Sequence, residues 1–107
     1  MRPYRLQADL CRALAHPTRL HILDLLSKQE RNVEELAKLT DTSQSNLSQH
    51  LAALRQQKLV VPRRAGMNVY YALSNPRIAD ACSLIREVLA EVLERDHRAA
   101  RILEVPS

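Results

Sequence analysis

Two helices, each marked by an apolar stripe, stand only three residues apart, and that spacing limits the folds open to the chain. Val33, Leu36 and Leu39 recur every third residue, and Leu47, Leu51 and Leu54 at steps of four and three, so each set lines one side of an α-helix. Thr40-Asp41-Thr42 between them carries no apolar side chain and is too short for anything but a corner. The two helices must therefore meet at an angle with both stripes facing one core. Asn32 is placed to cap the first of them, with Glu35 three residues later as its capping-box partner. The second runs from about Ser43 to Gln57.

The flanks add further elements. Leu6, Leu10 and Leu14 predict a first helix over Arg5 to Ala15 that ends before His16-Pro17, because the residue preceding a proline disfavours helix. Pro17 is well suited to open the next helix, which runs to about Ser27 and buries Leu20, Leu23 and Leu26 or their neighbours. Leu59 to Arg64 and Val69 to Ser74 read as strands joined by a tight turn at Ala65-Gly66-Met67-Asn68, with Pro62 turned toward an open sheet edge. A long helix starts at Asn75-Pro76 and continues to about Ala100, with Ile78, Cys82, Ile85, Val88 or Leu89, and Val92 along one stripe. One Gly and 3% aromatic residues argue against a sandwich or barrel, and 107 residues suit a single domain, 1–107, with no separate cofactor-binding unit. The expected fold class is mainly α with a β-hairpin wing.

Charge is distributed unevenly. The formal net charge is +4, yet from Thr42 to Ala79 there is no Asp or Glu, while Arg55, Lys58, Arg63, Arg64 and Arg77 all fall there. With a step of about 100° per residue, Ser45 and Gln49 point away from the leucines of their helix, and Asn46 and Ser48 flank them. Helix, short break, helix and hairpin is the order of a winged helix-turn-helix, whose second helix enters the DNA major groove. Short polar side chains let such a helix approach base edges, and a carboxylate there would be repelled by phosphate. Gln44, Ser45, Asn46, Ser48 and Gln49 are thus candidate DNA contacts, Arg55 and Lys58 phosphate contacts, and Arg63, Arg64 and Asn68 the wing's contribution. The competing readings are a solvated helix beside a surface hairpin, or a winged domain that binds protein without an effector.

Three motifs in order, ALAHPTRLHILDLL at Ala13 to Leu26, SQSNLSQHLAALRQQKLV at Ser43 to Val60, and RRAGMNVYYAL at Arg63 to Leu73, resemble the ArsR/SmtB family of bacterial winged-helix repressors. The resemblance covers nearly the whole chain. It implies a homodimer held by the first and last helices, repression relieved by an effector, and Gln44, Ser45, Ser48 and Gln49 at the family's DNA-contact positions. The stripe from Ile78 to Val92 exceeds what one small core needs, which argues independently for a second copy. Leu6, Leu10, Ile78, Ile85, Leu89 and Val92 are the expected dimer contacts, and a pseudo-palindromic operator the expected partner.

The resemblance also implies a sensed metal, arsenical or sulfur oxidant, and here the chain departs from the better-known patterns. The third helix has no Cys or His for a thiolate metal site. On the last helix Asp80, Cys82, Asp96 and His97 are a loose substitute for an interhelical zinc set. The second-helix and late last-helix positions of a sulfur-sensing cysteine pair are Asp24 and Ala90. The two cysteines fall instead at Cys11 and Cys82, on the first and last helices, which in the family fold pack together. Each also suits a buried apolar position. The sequence fixes no cofactor; a soft metalloid or a metal ion is the candidate effector beside sulfur chemistry. His16, His21 and His50 read first as structural. Ser43, Ser45, Ser48 and His50 share one helix without a carboxylate, which excludes a triad. No apolar run long enough for a signal peptide or membrane span is present, so a cytoplasmic protein without membrane contact is expected.

Overall fold

Side-chain caps at three helix starts and left-handed residues at two helix ends set the architecture. The computed structural model describes the backbone of residues 1–102 and the side chains of residues 1–97. The elements are α1 (Arg2–Leu14), α2 (Pro17–Lys28), β1 (Arg31–Asn32), α3 (Val33–Leu39), α4 (Gln44–Gln56), β2 (Val60–Ala65), β3 (Asn68–Leu73) and α5 (Arg77–Ile102). At α2 the His16 Nδ1 accepts the Thr18 N–H at 3.1 Å. The capping box at α3 forms as expected, with the Glu35 N–H donating to Asn32 Oδ1 at 2.8 Å and the Asn32 N–H to the Glu35 carboxylate at 3.5 Å. Ser43 Oγ accepts the Asn46 N–H at 3.2 Å and starts α4.

Both helices of the corner stop in the same way. Asp41 (φ 52°) follows α3, with the Thr42 N–H reaching Ala37 O at 3.0 Å and the Asp41 N–H reaching Lys38 O at 3.2 Å. Lys58 (φ 60°) follows α4, with the Leu59 N–H on Leu54 O at 3.0 Å and the Lys58 N–H on Arg55 O at 2.8 Å. Each is a Schellman closure, a place where Gly is favoured. Asp tolerates the left-handed region better than Lys does, so Lys58 carries the larger conformational cost.

The core is formed by Ile22, Leu23, Leu25 and Leu26 of α2, Leu36 and Ala37 of α3, Leu47, Leu51 and Leu54 of α4, and Leu59 and Val60 at the start of the wing. Two expectations fail here. Leu20 is 37% and Leu39 47% exposed. At about 100° per residue Leu39 lies roughly 60° beyond Leu36, so Ala37 takes the inner place, and Leu20 points away from the face made by Ile22, Leu23 and Leu26. The first helix also starts earlier than its leucine spacing suggests, because Pro3 fits its first turn.

The wing has one strand more than expected. β1 pairs antiparallel with β3, Arg31 opposite Tyr71 and Asn32 opposite Tyr70, giving the order β1-β3-β2. β2 is therefore an edge strand, as Pro62 requires. Gly66 (φ 62°) and Met67 make the two-residue turn, with the positive φ at the first central position that a type II′ hairpin needs. α5 packs on α2 through its first turns, where Cys82 is buried and Ile78 half-buried; beyond them Ile85, Val88, Leu89, Val92 and Leu93 are exposed. Leu10 and Ile78, expected at a dimer surface, are half-buried and pack against the chain's own core. Among the described residues no helix is long and apolar enough to cross a membrane.

Relief of the left-handed strain at Lys58 gives a first expected outcome. Lys58→Gly should raise unfolding stability by about 1 kcal/mol in urea denaturation, and an unchanged or lowered midpoint would show that the closure is not strained.

Candidate nucleic-acid interface and interhelical pocket

The inward leucines of α4 leave its other side free. Gln44, Ser45, Asn46, Ser48 and Gln49 are all exposed, while Leu47, Leu51 and Leu54 are buried beneath them. Ser43 and Ser45 approach each other at 3.5 Å, and the side chains of Gln44, Asn46, Ser48 and Gln49 make no hydrogen bond among the described residues. This is a helix edge with its donors and acceptors uncommitted. α3 packs across α4, completing the helix-turn-helix, and the β2–β3 hairpin stands at its side.

Strand alternation sends the two wing arginines to opposite faces of the sheet. Arg63 meets the Glu30 carboxylate, Nε at 3.0 and 3.2 Å and an Nη at 2.6 Å, and its guanidinium lies 5.3 Å from the centroid of the Tyr70 ring. The hydrogen bond from Arg63 holds the Glu30 carboxyl below its usual range, and the same contact raises the Arg63 pKa. Arg63, expected among the DNA contacts, thus has its charge matched within the chain. Arg64, by contrast, has no ion-pair partner among the described residues, and neither do Arg55 and Lys58. Asn68 is exposed at the turn.

Cys11 and Cys82 line one pocket. It lies between α1, α2 and α5, measures about 510 Å³, and is otherwise walled by Leu14, Ala15, Leu20, His21, Asp24, Ile85, Arg86 and Leu89. Both thiols are free; Cys11 is exposed and Cys82 is 6% exposed. Burial pushes the Cys82 thiol up, and Arg86 pulls weakly the other way. Asp24 pairs with Arg86 of the same wall at 3.6 Å and with Lys28 outside the pocket at 3.8 Å.

The zinc alternative fares differently. Asp80 and Asp96 stand on one helix about 24 Å apart at 1.5 Å per residue, so one chain cannot converge Asp80, Cys82, Asp96 and His97 on an ion. Among the described residues no group of three metal-ligating side chains occurs.

A junction that the sequence reading only partly saw ties the pocket corner to α4. Arg19 Nε donates to His50 Nδ1 at 3.1 Å and an Nη to Ala13 O at 3.4 Å. The His16 and His50 rings stand 4.3 Å apart, tilted at 47°. His16 and His50 read as structural from the sequence, as the junction bears out; Arg19, 31 residues from His50, carries no sequence signal.

The profile of bacterial regulatory proteins of the arsR family matches residues 16–61. The HTH-type transcriptional regulator Rv0081 of Mycobacterium tuberculosis is 42% identical over 91 residues, covering 84% of this chain and 80% of that protein. Its crystal structure superposes with a TM-score of 0.81 at 40% identity, over 87% of this chain and 94% of that one. The homodimeric winged helix-turn-helix DNA-binding domain of Mb0332 from Mycobacterium bovis matches with a TM-score of 0.78 at 37% identity, over 86% of this chain and 85% of that one.

Burial, His16 and Arg19 all disfavour a charged His50, so its pKa lies below the ordinary value. The stability held by neutral His50 is present above about pH 6.5, the unfolded value, and is lost as pH falls through the lower folded value. Urea midpoints should be flat from pH 8 to 7 and fall below about 6.5, and His50→Gln should fall less; an equal fall in both proteins would place the proton elsewhere.

Proposed function

The chain belongs to the ArsR family of bacterial regulatory proteins, and from that premise we propose that it is a homodimeric, sequence-specific DNA-binding repressor released from its operator by a thiol-directed effector at Cys11 and Cys82. The observation that carries the DNA reading is the uncommitted edge of α4. Gln44, Ser45, Asn46, Ser48 and Gln49 face solvent together inside a stretch without a single carboxylate. Their amides and hydroxyls match the donors and acceptors of base edges in a major groove. Arg55, Lys58 and Arg64 supply charge for the flanking phosphates.

The dimer reading rests on the surface left over by the core. Leu84, Ile85, Val88, Leu89, Val92 and Leu93 on α5, with Tyr4 and Leu6 on α1, stay exposed in one chain. Burying a side chain of this size is worth about 1.5–3 kcal/mol, so a second copy, contributing its own stripe, gains enough to offset the cost of association. The Mb0332 domain is itself homodimeric.

The effector reading rests on the shared pocket. Cys11 is open to solvent and Cys82 sits at the buried end, so a reagent that meets the first thiol is delivered toward the second. Two thiols losing two protons and two electrons to a sulfur oxidant form a bridge; two thiols that displace two hydroxides from a trivalent arsenical form two As–S bonds, and their protons leave with the hydroxides as two waters. Either event draws on α1 and α5 at once. Leu20 and His21 on α2 line the same pocket, and Arg19 and His16 beside them bond or stack with His50 of α4. Displacement of α2 therefore has a short route to the helix that reads DNA.

Two measurements test this. Ser48→Ala or Gln49→Ala should cut the preference for operator over random duplex about tenfold, and equal loss on both DNAs would sink direct readout. In fluorescence anisotropy on the DNA upstream of its own gene, an organic polysulfide should weaken the reduced wild type and spare Cys82→Ser. Unchanged wild-type affinity would make both cysteines packing residues.

A further inference from the structure

The cleft between α4 and the wing contains a second ordered arrangement of charge. About 290 Å³ in volume, it is lined by Arg55, Pro62, Arg64, Val69 and Tyr71. The two guanidiniums reach it from different elements, Arg55 from the last turn of α4 and Arg64 from the edge strand β2. The ladder explains the floor: Arg64 lies opposite Val69 and Pro62 opposite Tyr71, so the apolar stems and rings of neighbouring strands share this face. Tyr71 adds a phenol whose hydroxyl has no hydrogen-bond partner among the described residues. No carboxylate lines the cleft. Two like charges converging on one cavity without a counter-ion repel each other unless an anion joins them.

On the DNA-binding reading above, we propose that this cleft seats one backbone phosphate of duplex DNA in each half-site, gripped by Arg55 and Arg64 together, and that Arg63 is a positioning residue for the wing that supplies Arg64. The planar forks of two guanidiniums match the two unesterified oxygens of a phosphodiester. Ser48 and Arg55 are seven residues apart, two turns of helix, and so share one edge of α4. A helix that puts Ser48 over base edges thereby puts Arg55 beside the strand that bounds the groove. The neighbouring strand position is handled oppositely: Arg63 turns to Glu30 and the Tyr70 ring on the other face of the sheet, which fixes the twist of β2 from behind. Sequence assigned Arg63 and Arg64 the same role, whereas the structure divides the labour between them.

The experiment is a coupling measurement between protein and phosphate. An operator duplex is prepared with one uncharged methylphosphonate linkage at a time, and its affinity is measured for the wild type, Arg55→Gln, Arg64→Gln and Arg63→Gln at fixed salt. At one linkage per half-site the wild type should lose about tenfold, a typical charge-assisted contact, and Arg63→Gln, which frees the wing that carries Arg64, should lose less there than the wild type but more than Arg64→Gln. Arg55→Gln and Arg64→Gln should both be nearly indifferent to that same linkage. Coupling of the two arginines to different linkages, or to none, overturns the shared seat and leaves the DNA reading standing. Failure of the wild type to bind any duplex in a salt-dependent way overturns the DNA reading itself. Millimolar inorganic phosphate at constant ionic strength should compete no better than chloride with wild-type binding; strong competition that Arg55→Gln abolishes would make the cleft a free-anion site instead.

Discussion

Everything on the proposed DNA side depends on the burial of Leu47, Leu51 and Leu54. These three side chains are 0–2% exposed, and rotating α4 by one residue would bring at least one of them into water at a cost of about 1.5–3 kcal/mol. The stripe thus fixes the roll of the helix, and with it which polar residues face outward. Ser43 fixes the start and the Schellman closure at Lys58 fixes the end. A short helix held at both ends and along one side has no remaining freedom to rotate. Its outer edge is carried as a rigid reading surface, and none of its polar residues is needed to hold it in place.

The wing is positioned by a different kind of force. Glu30 and Arg63 are both largely in solvent, and an exposed ion pair adds little to stability. Its bidentate geometry and the adjoining Tyr70 ring nevertheless select one orientation of β2 out of those the hairpin could adopt. Such a pair is poorly described as glue and well described as a set screw. It also matches the charge of Arg63 on the other face of the sheet, which leaves Arg55, Lys58 and Arg64 as the region's cations without an ion-pair partner among the described residues.

The helices were legible because their information is local. The Leu47, Leu51 and Leu54 period, Pro17, the Asn32 and Glu35 box, and the Gly66 turn each declare themselves within a few residues, and all appear where expected. What escaped was set by contacts across the chain. β1 is two residues long and exists only because β3 offers it a ladder. Leu39 and Leu20 have the right chemistry for the core and the wrong angular position. Glu30 and Arg63 are 33 residues apart, Arg19 and His50 31, and neither pair has a periodic signature. The cysteines lie between these cases: their helices were readable, and their meeting in one pocket follows from α2 holding α1 and α5 on either side of it.

That pocket joins the two remaining surfaces of the molecule. Ile85 and Leu89 are at once its wall and part of the exposed stripe of α5. On the proposed reading, a partner laid on the stripe roofs the pocket, so a ligand between Cys11 and Cys82 meets both protomers' helices. An effector can shift an equilibrium only by the difference in its affinity for two states. Here that difference would arise from the spacing of α1 and α5, which a bridge between the sulfurs shortens and an empty pocket leaves open. On the same reading the spacing of those helices would set the relative tilt of the two protomers, and with it the distance between two α4 helices that a pseudo-palindromic site spaces one DNA turn, about 34 Å, apart. A small rearrangement at the sulfurs would then take one helix out of register with its groove while leaving both folds intact.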